Sequence, residues 1–146
     1  MTTRTNSALE SASGAGVRHG LEAGVVPLAA RGLFALPFAL FGLFHFVGAE
    51  AMAGMVPVPG GLFWVYFTGV ALLAGSAGIL TGILGKWAAY GLAALMVLFA
   101  LTIHLPGLGD PNMGQLSMIS LLKDLALGGG ALAFAAMFSA KRATAG

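Results

Sequence analysis

The 146-residue chain has no cysteine and very little charge. Without cysteine it can form no disulfide, bind no metal through thiolate and run no redox cycle on thiols of its own. Charged residues make up 8% of the chain, against roughly 25% in an ordinary soluble domain. Seven basic and five acidic side chains cannot cover a globule of this size in water, whereas a bilayer needs no such cover. A soluble globule is therefore excluded. The net charge of +2 is too small to be a nucleic-acid footprint, so no nucleic-acid partner is expected. Also missing are a nucleophile beside its base, a zinc motif, a phosphate-binding glycine loop and an internal repeat.

What remains is apolar. Hydrophobic residues account for 58% of the chain, and with the 23 glycines close to three quarters of it is apolar or glycine. The gaps between charges map the spans: Gly32 to Ala49, Ala51 to Gly85 and Trp87 to Gly109 are all uncharged. A helix needs about 20 such residues to cross a hydrocarbon core of roughly 30 Å. The spacing predicts an all-α, polytopic bundle of four transmembrane helices, at about 28–47, 62–84, 87–105 and 115–139. The runs are continuously apolar instead of alternating, which excludes a β-barrel. Only the fourth span carries charges inside it, Lys123 and Asp124.

Lysine and arginine set the expected orientation. Arg4, Arg18 and Arg31 precede the first span, Lys86 lies between the second and third, and Lys141 and Arg142 follow the last. The other two loops carry no basic residue, only Glu50 and Asp110. Both termini are thus expected in the cytoplasm, with the four-helix domain, residues 27–140, in the membrane. Trp64 and Tyr66 at one end, and Trp87 and Tyr90 at the other, suit the two interfacial belts. Residues 1–26 lack the apolar core of a secretory signal and read as a mobile cytoplasmic tail, as do 141–146. Pro37 is expected to kink the first helix and free a carbonyl on the preceding turn. Gly75, Gly78 and Gly82 in the second span, with Gly128 and Gly129 in the fourth, read as helix-packing positions.

Counting 1.5 Å per residue from each basic anchor puts His45 about 21 Å up, Asp124 about 26 Å, and His104 and Lys123 about 27 Å. With Glu50 just beyond, these five residues form a polar collar at the outer mouth of the bundle. Ionisable groups in a bilayer are costly and seek partners. Lys123 and Asp124 lie about 100° apart on a helix and are expected to reach different ones. Asp124 would pair with His104 or His45, and Lys123 would reach Glu50 or a loop carbonyl. Such a collar suits a quinone head group, whose carbonyls an imidazole or ammonium can bond and whose protons an acid can relay. Two further cofactor readings stay open: haem between the two histidines, and Cu(I) on the loop methionines Met52, Met55, Met113 and Met118. No metal site is assigned.

Several segments resemble the DoxX-like family of small four-helix bacterial membrane proteins, over about residues 31–138. They are Arg31-Gly32-Leu33-Phe34, Gly42-Leu43-Phe44-His45-Phe46, the glycines Gly69, Gly75 and Gly82, and above all Leu122-Lys123-Asp124-Leu125-Ala126-Leu127-Gly128-Gly129. His104 falls where many relatives have a histidine, here followed by Leu-Pro-Gly instead of asparagine and an aromatic. The resemblance implies membrane redox work. Relatives include subunits of a thiosulfate:quinone oxidoreductase and a mycobacterial member linked to a complex for oxidative and thiol stress. It implies an integral subunit of a quinone-linked oxidoreductase, with another redox-complex subunit as partner and any sulfur chemistry on that partner. The alternative is a non-catalytic structural or assembly subunit that docks such a complex through its glycine faces, alone or as a homo-oligomer.

Overall fold

The computed structural model describes the backbone of residues 2–143 and the side chains of residues 24–140. The side chains of residues 1–23 and 141–146, where the two tails are expected, lie outside the described residues. The helices are α1 (Thr2–Val47), α2 (Ala49–Ala53), α3 (Gly61–Thr81), α4 (Gly85–Phe99), α5 (Leu105–Gly107) and α6 (Gly114–Ala143), with a π-helical turn at Ala100–His104. Among the described residues there is no strand. Two units divide the chain, residues 1–33 and 34–146. In the first, the backbone is helical from Thr2 onward and Val25, Val26, Leu28 and Leu33 are exposed.

Four stretches are long and apolar enough to cross a membrane, Gly24–Val47, Gly61–Thr81, Gly85–Gly107 and Gly114–Ala140, so the protein is a multi-pass membrane protein whose helices contact lipid. Its exterior agrees. Leu43, Phe63, Val70, Ile83, Leu101, Ile119 and Leu132 are all more than half exposed, an arrangement that only a hydrocarbon solvent tolerates. The interior is built from small residues and a few large ones. Phe38, Leu72, Ile79, Leu92 and Met96 are fully buried beside Ala35, Ala89, Ala131 and Ala135. Phe34 stacks on Phe134 at 4.7 Å between ring centroids and meets Phe38 edge-on at 5.2 Å.

Because lipid removes most of the hydrophobic drive between helices, close contact and buried hydrogen bonds must hold them together. The crossing of α1 and α3 shows this at Gly42 and Gly69. A Cβ on either would lie within about 3 Å of the other's carbonyl oxygen. Near Pro37, the Ser76 hydroxyl of α3 donates to the Ala35 carbonyl at 3.0 Å, a buried bond between the two helices. Helix α1 continues through the proline.

The second span ends earlier than expected, at Thr81 instead of Leu84. The cause is Gly82, which adopts a left-handed conformation at φ 75° and returns its N–H to the Gly78 carbonyl at 2.9 Å. Gly82, expected as a packing position, thus caps the helix. Leu84, at φ 52°, completes the reversal and α4 starts at the next residue. The other expected packing glycines divide. Gly75 faces Leu92, Gly78 faces Ala88 and Gly128 faces Met96, whereas Gly129 points into open space. Its neighbour Gly130 does the packing in its place, against the Phe34 ring.

Candidate functional site

The polar residues gather at the end of the bundle where α1 and α4 finish and α3 and α6 begin. Helix α6 positions the acid. Ser117, Asp124 and Ala131 recur every seven residues, two turns apart, and all three are buried, so Asp124 sits on the apolar seam that α6 presents to the bundle. The start of α6 is held by Asp110, whose Oδ1 accepts from Asn112 N at 2.7 Å and Met113 N at 3.2 Å. Helix α5 lies close against its first turn: a Cβ on Gly107 would clash with the Ser117 hydroxyl.

Pro106 shapes the approach of His104. A proline lacks an N–H, and its ring would strike the carbonyl four residues back, here that of Thr102. The helix answers with the wider turn at Ala100–His104, in which Leu105 N–H reaches back to the Ala100 carbonyl. That turn takes up an extra residue and rotates His104 about the helix axis relative to an unbroken α-helix. His104 Nδ1 then donates to Asp124 Oδ2 at 2.5 Å. Of the two pairings the spacing left open for Asp124, the structure makes the one with His104.

Lys123 departs from expectation. Its Nζ lies 3.2 Å from Asp124 Oδ1, so the neighbours pair with each other instead of reaching different partners. The 100° between them on the helix is overcome by the long lysine stem, which folds back toward the buried carboxylate. The ammonium also sits 4.5 Å above the centre of the Phe41 ring, within cation–π range. Asp124 is completely buried while the side chains of His104 and Lys123 are 20% and 37% exposed. Its Oδ1 meets the ammonium as an ion pair but accepts no aligned hydrogen bond.

His45 belongs to a neighbouring arrangement. Its Nδ1 donates to the Phe41 carbonyl at 2.7 Å and its ring stacks on Phe99, with centroids 6.3 Å apart. Phe41 is therefore the link between the two polar groups, its ring serving Lys123 and its carbonyl serving His45. The sequence reading missed it, although its spacing four residues before His45 is the one that lets a helical side chain reach a backbone carbonyl. Glu50 stands apart, exposed in α2, and forms no ion pair among the described residues. The expected collar of five is thus a triad, His104–Asp124–Lys123, with His45 joined to it through Phe41. Among the described residues no group of three or more histidines and acids could hold a metal ion.

A second feature lies toward the other end, an open apolar groove of about 960 Å³ between α3 and α4, lined by Ala71, Ala74, Gly78, Gly91 and Leu95 among others. Comparison with protein families, curated proteins and solved structures finds no match to the chain.

Proposed function

We propose that the protein is an integral subunit of a quinone-linked oxidoreductase in a bacterial inner membrane, and that His104, Asp124 and Lys123 form its polar head-group and proton site. The observation that carries this reading is a fully buried carboxylate joining an imidazole and an ammonium at one end of a bundle whose exterior faces lipid. Ionisable residues at membrane depth are costly and concentrate on ligand and proton pathways. The sequence resemblance to the DoxX-like family points the same way.

The residues fit such a ligand chemically. The partly exposed Lys123 ammonium has donors for a carbonyl oxygen, and His104 keeps Nε2 on the ring edge away from the acid. Asp124, closed off from solvent, orients the imidazole and balances the charge it gains on taking a proton. His45 completes the mouth through Phe41. A bound quinone supplies two-electron, two-proton carrier chemistry. With no cysteine in the chain, any thiol chemistry belongs to a partner subunit.

Purification in mild detergent, followed by native mass spectrometry and an absorption spectrum, tests this. Wild-type protein should carry a quinone that Lys123→Ala and His104→Ala lose at unchanged folded yield. A second reading, a non-catalytic assembly subunit, draws on the small-residue groove between α3 and α4. It requires ligand-free protein that travels with another polypeptide, and Gly91→Leu, which fills the groove, should release that polypeptide.

A further inference from the structure

The donors and acceptors of the triad do not treat the two oxidation states of such a ligand alike. A neutral imidazole has one N–H, and His104 commits it at Nδ1 to the Asp124 carboxylate, an acceptor-only partner whose other oxygen lies 3.2 Å from the Lys123 ammonium. Nε2 is then a bare acceptor. It has no partner among the described residues, and the side chain is one-fifth exposed. A quinone's carbonyl oxygens have no hydrogen to offer Nε2, whereas a hydroxyl donates one; Lys123, on the other carboxylate oxygen, offers donors only and serves either form.

We propose that the His104–Asp124 pair makes this site selective for the reduced, hydroxyl-bearing form of the ligand, an aromatic diol, over its quinone. The inference rests on the quinone-linked reading above and adds the form that is recognised. Asp124 acts as a positioning residue: it touches no ligand, and its carboxylate fixes which imidazole nitrogen carries the proton. A proton taken up at Nε2 would make His104 an imidazolium facing the carboxylate.

The test uses full-length protein in lipid nanodiscs and three probes with the same decyl tail: a 1,4-benzoquinone, its hydroquinone kept reduced under dithionite, and the hydroquinone dimethyl ether. Binding is measured by equilibrium dialysis against empty nanodiscs, which removes the difference in partition into lipid. The hydroquinone should bind about tenfold or more tightly than either probe that lacks a hydroxyl donor, the usual weight of one hydrogen bond to a charge-supported group. In Asp124→Asn the side-chain amide can donate to Nδ1, which moves the ring proton to Nε2, and the preference should vanish or reverse. Nitrogen-15 NMR of histidine-labelled protein without any ligand should show His104 protonated at Nδ1 and bare at Nε2. A quinone that binds as tightly as the hydroquinone, or an apo His104 protonated at Nε2, overturns the selectivity and leaves the quinone-linked reading standing. Failure of all three probes to bind overturns both.

Discussion

A buried carboxylate with two partly exposed partners makes an asymmetric prediction about stability. Replacing His104 by leucine removes the bond to Asp124 Oδ2 and leaves a fully buried carboxylate with only the unaligned ammonium at 3.2 Å. Replacing Asp124 by leucine removes the same bond but leaves the two partially exposed side chains, which recover bonds from water or lipid head groups. Hydrogen bonds between membrane helices average about 0.6 kcal/mol and reach about 1.7 kcal/mol, because the unfolded chain in the membrane also finds partners. Leaving a buried polar group without its partner adds about 1–3 kcal/mol, and more when the group is charged. His104→Leu should therefore cost about 2–5 kcal/mol, while Asp124→Leu, which puts an apolar group of similar volume on an apolar seam, should cost under about 1 kcal/mol. The double variant should resemble Asp124→Leu alone, a coupling of about 1.5 kcal/mol or more. Reversible unfolding in mixed detergent–SDS micelles, followed by circular dichroism, gives all three values. If Asp124→Leu is the more damaging single change and the double variant costs the sum of both, the buried carboxylate is not what ties α4 to α6.

Adjacent glycines of α6 should behave in opposite ways. Gly129→Ala meets open space and should stabilise the helix by about 0.5–1 kcal/mol, whereas Gly130→Ala drives a Cβ to 2.6 Å from the Phe34 ring and should cost about 1–3 kcal/mol in the same unfolding assay. Pro106→Ala restores an N–H and removes the clash that sustains the π turn, so the segment should relax toward α-helix and carry His104 off Asp124. The histidine nitrogen-15 spectrum should then lose its single Nδ1–H form, and an unchanged spectrum would show that the turn is held by something else. Leu84→Gly removes the left-handed strain at φ 52° and should be neutral or stabilising by up to about 1 kcal/mol, measured as thermal midpoint in detergent.

The fold was legible because its cause is composition. Twenty-residue apolar runs broken by few charges allow only helices across a bilayer, and the four helices fall within a few residues of where charge spacing puts them. The early end of the second span reflects Gly82, a glycine that closes a helix in a left-handed cap. Composition treats a packing and a capping glycine alike, and only the backbone conformation separates them. That these polar residues reach the same end of the bundle was legible as well, since rise per residue is nearly constant along a helix. What a one-dimensional count could not supply was rotation. The turn forced by Pro106, the fold-back of the Lys123 stem and the placing of Phe41 beneath its ammonium depend on how α1, α4 and α6 face one another.

The sequence by itself therefore determined the number of spans, their boundaries to within a few residues and the end of the bundle that His45, His104, Lys123 and Asp124 reach, because each follows from solvent and helical rise. Only the tertiary structure decided which of them meet. It joined His104 and Lys123 to the same carboxylate, turned His45 to the Phe41 carbonyl and left Glu50 outside, because partner choice among residues at one end of the bundle is fixed by helix rotation and side-chain reach, and neither is written in spacing.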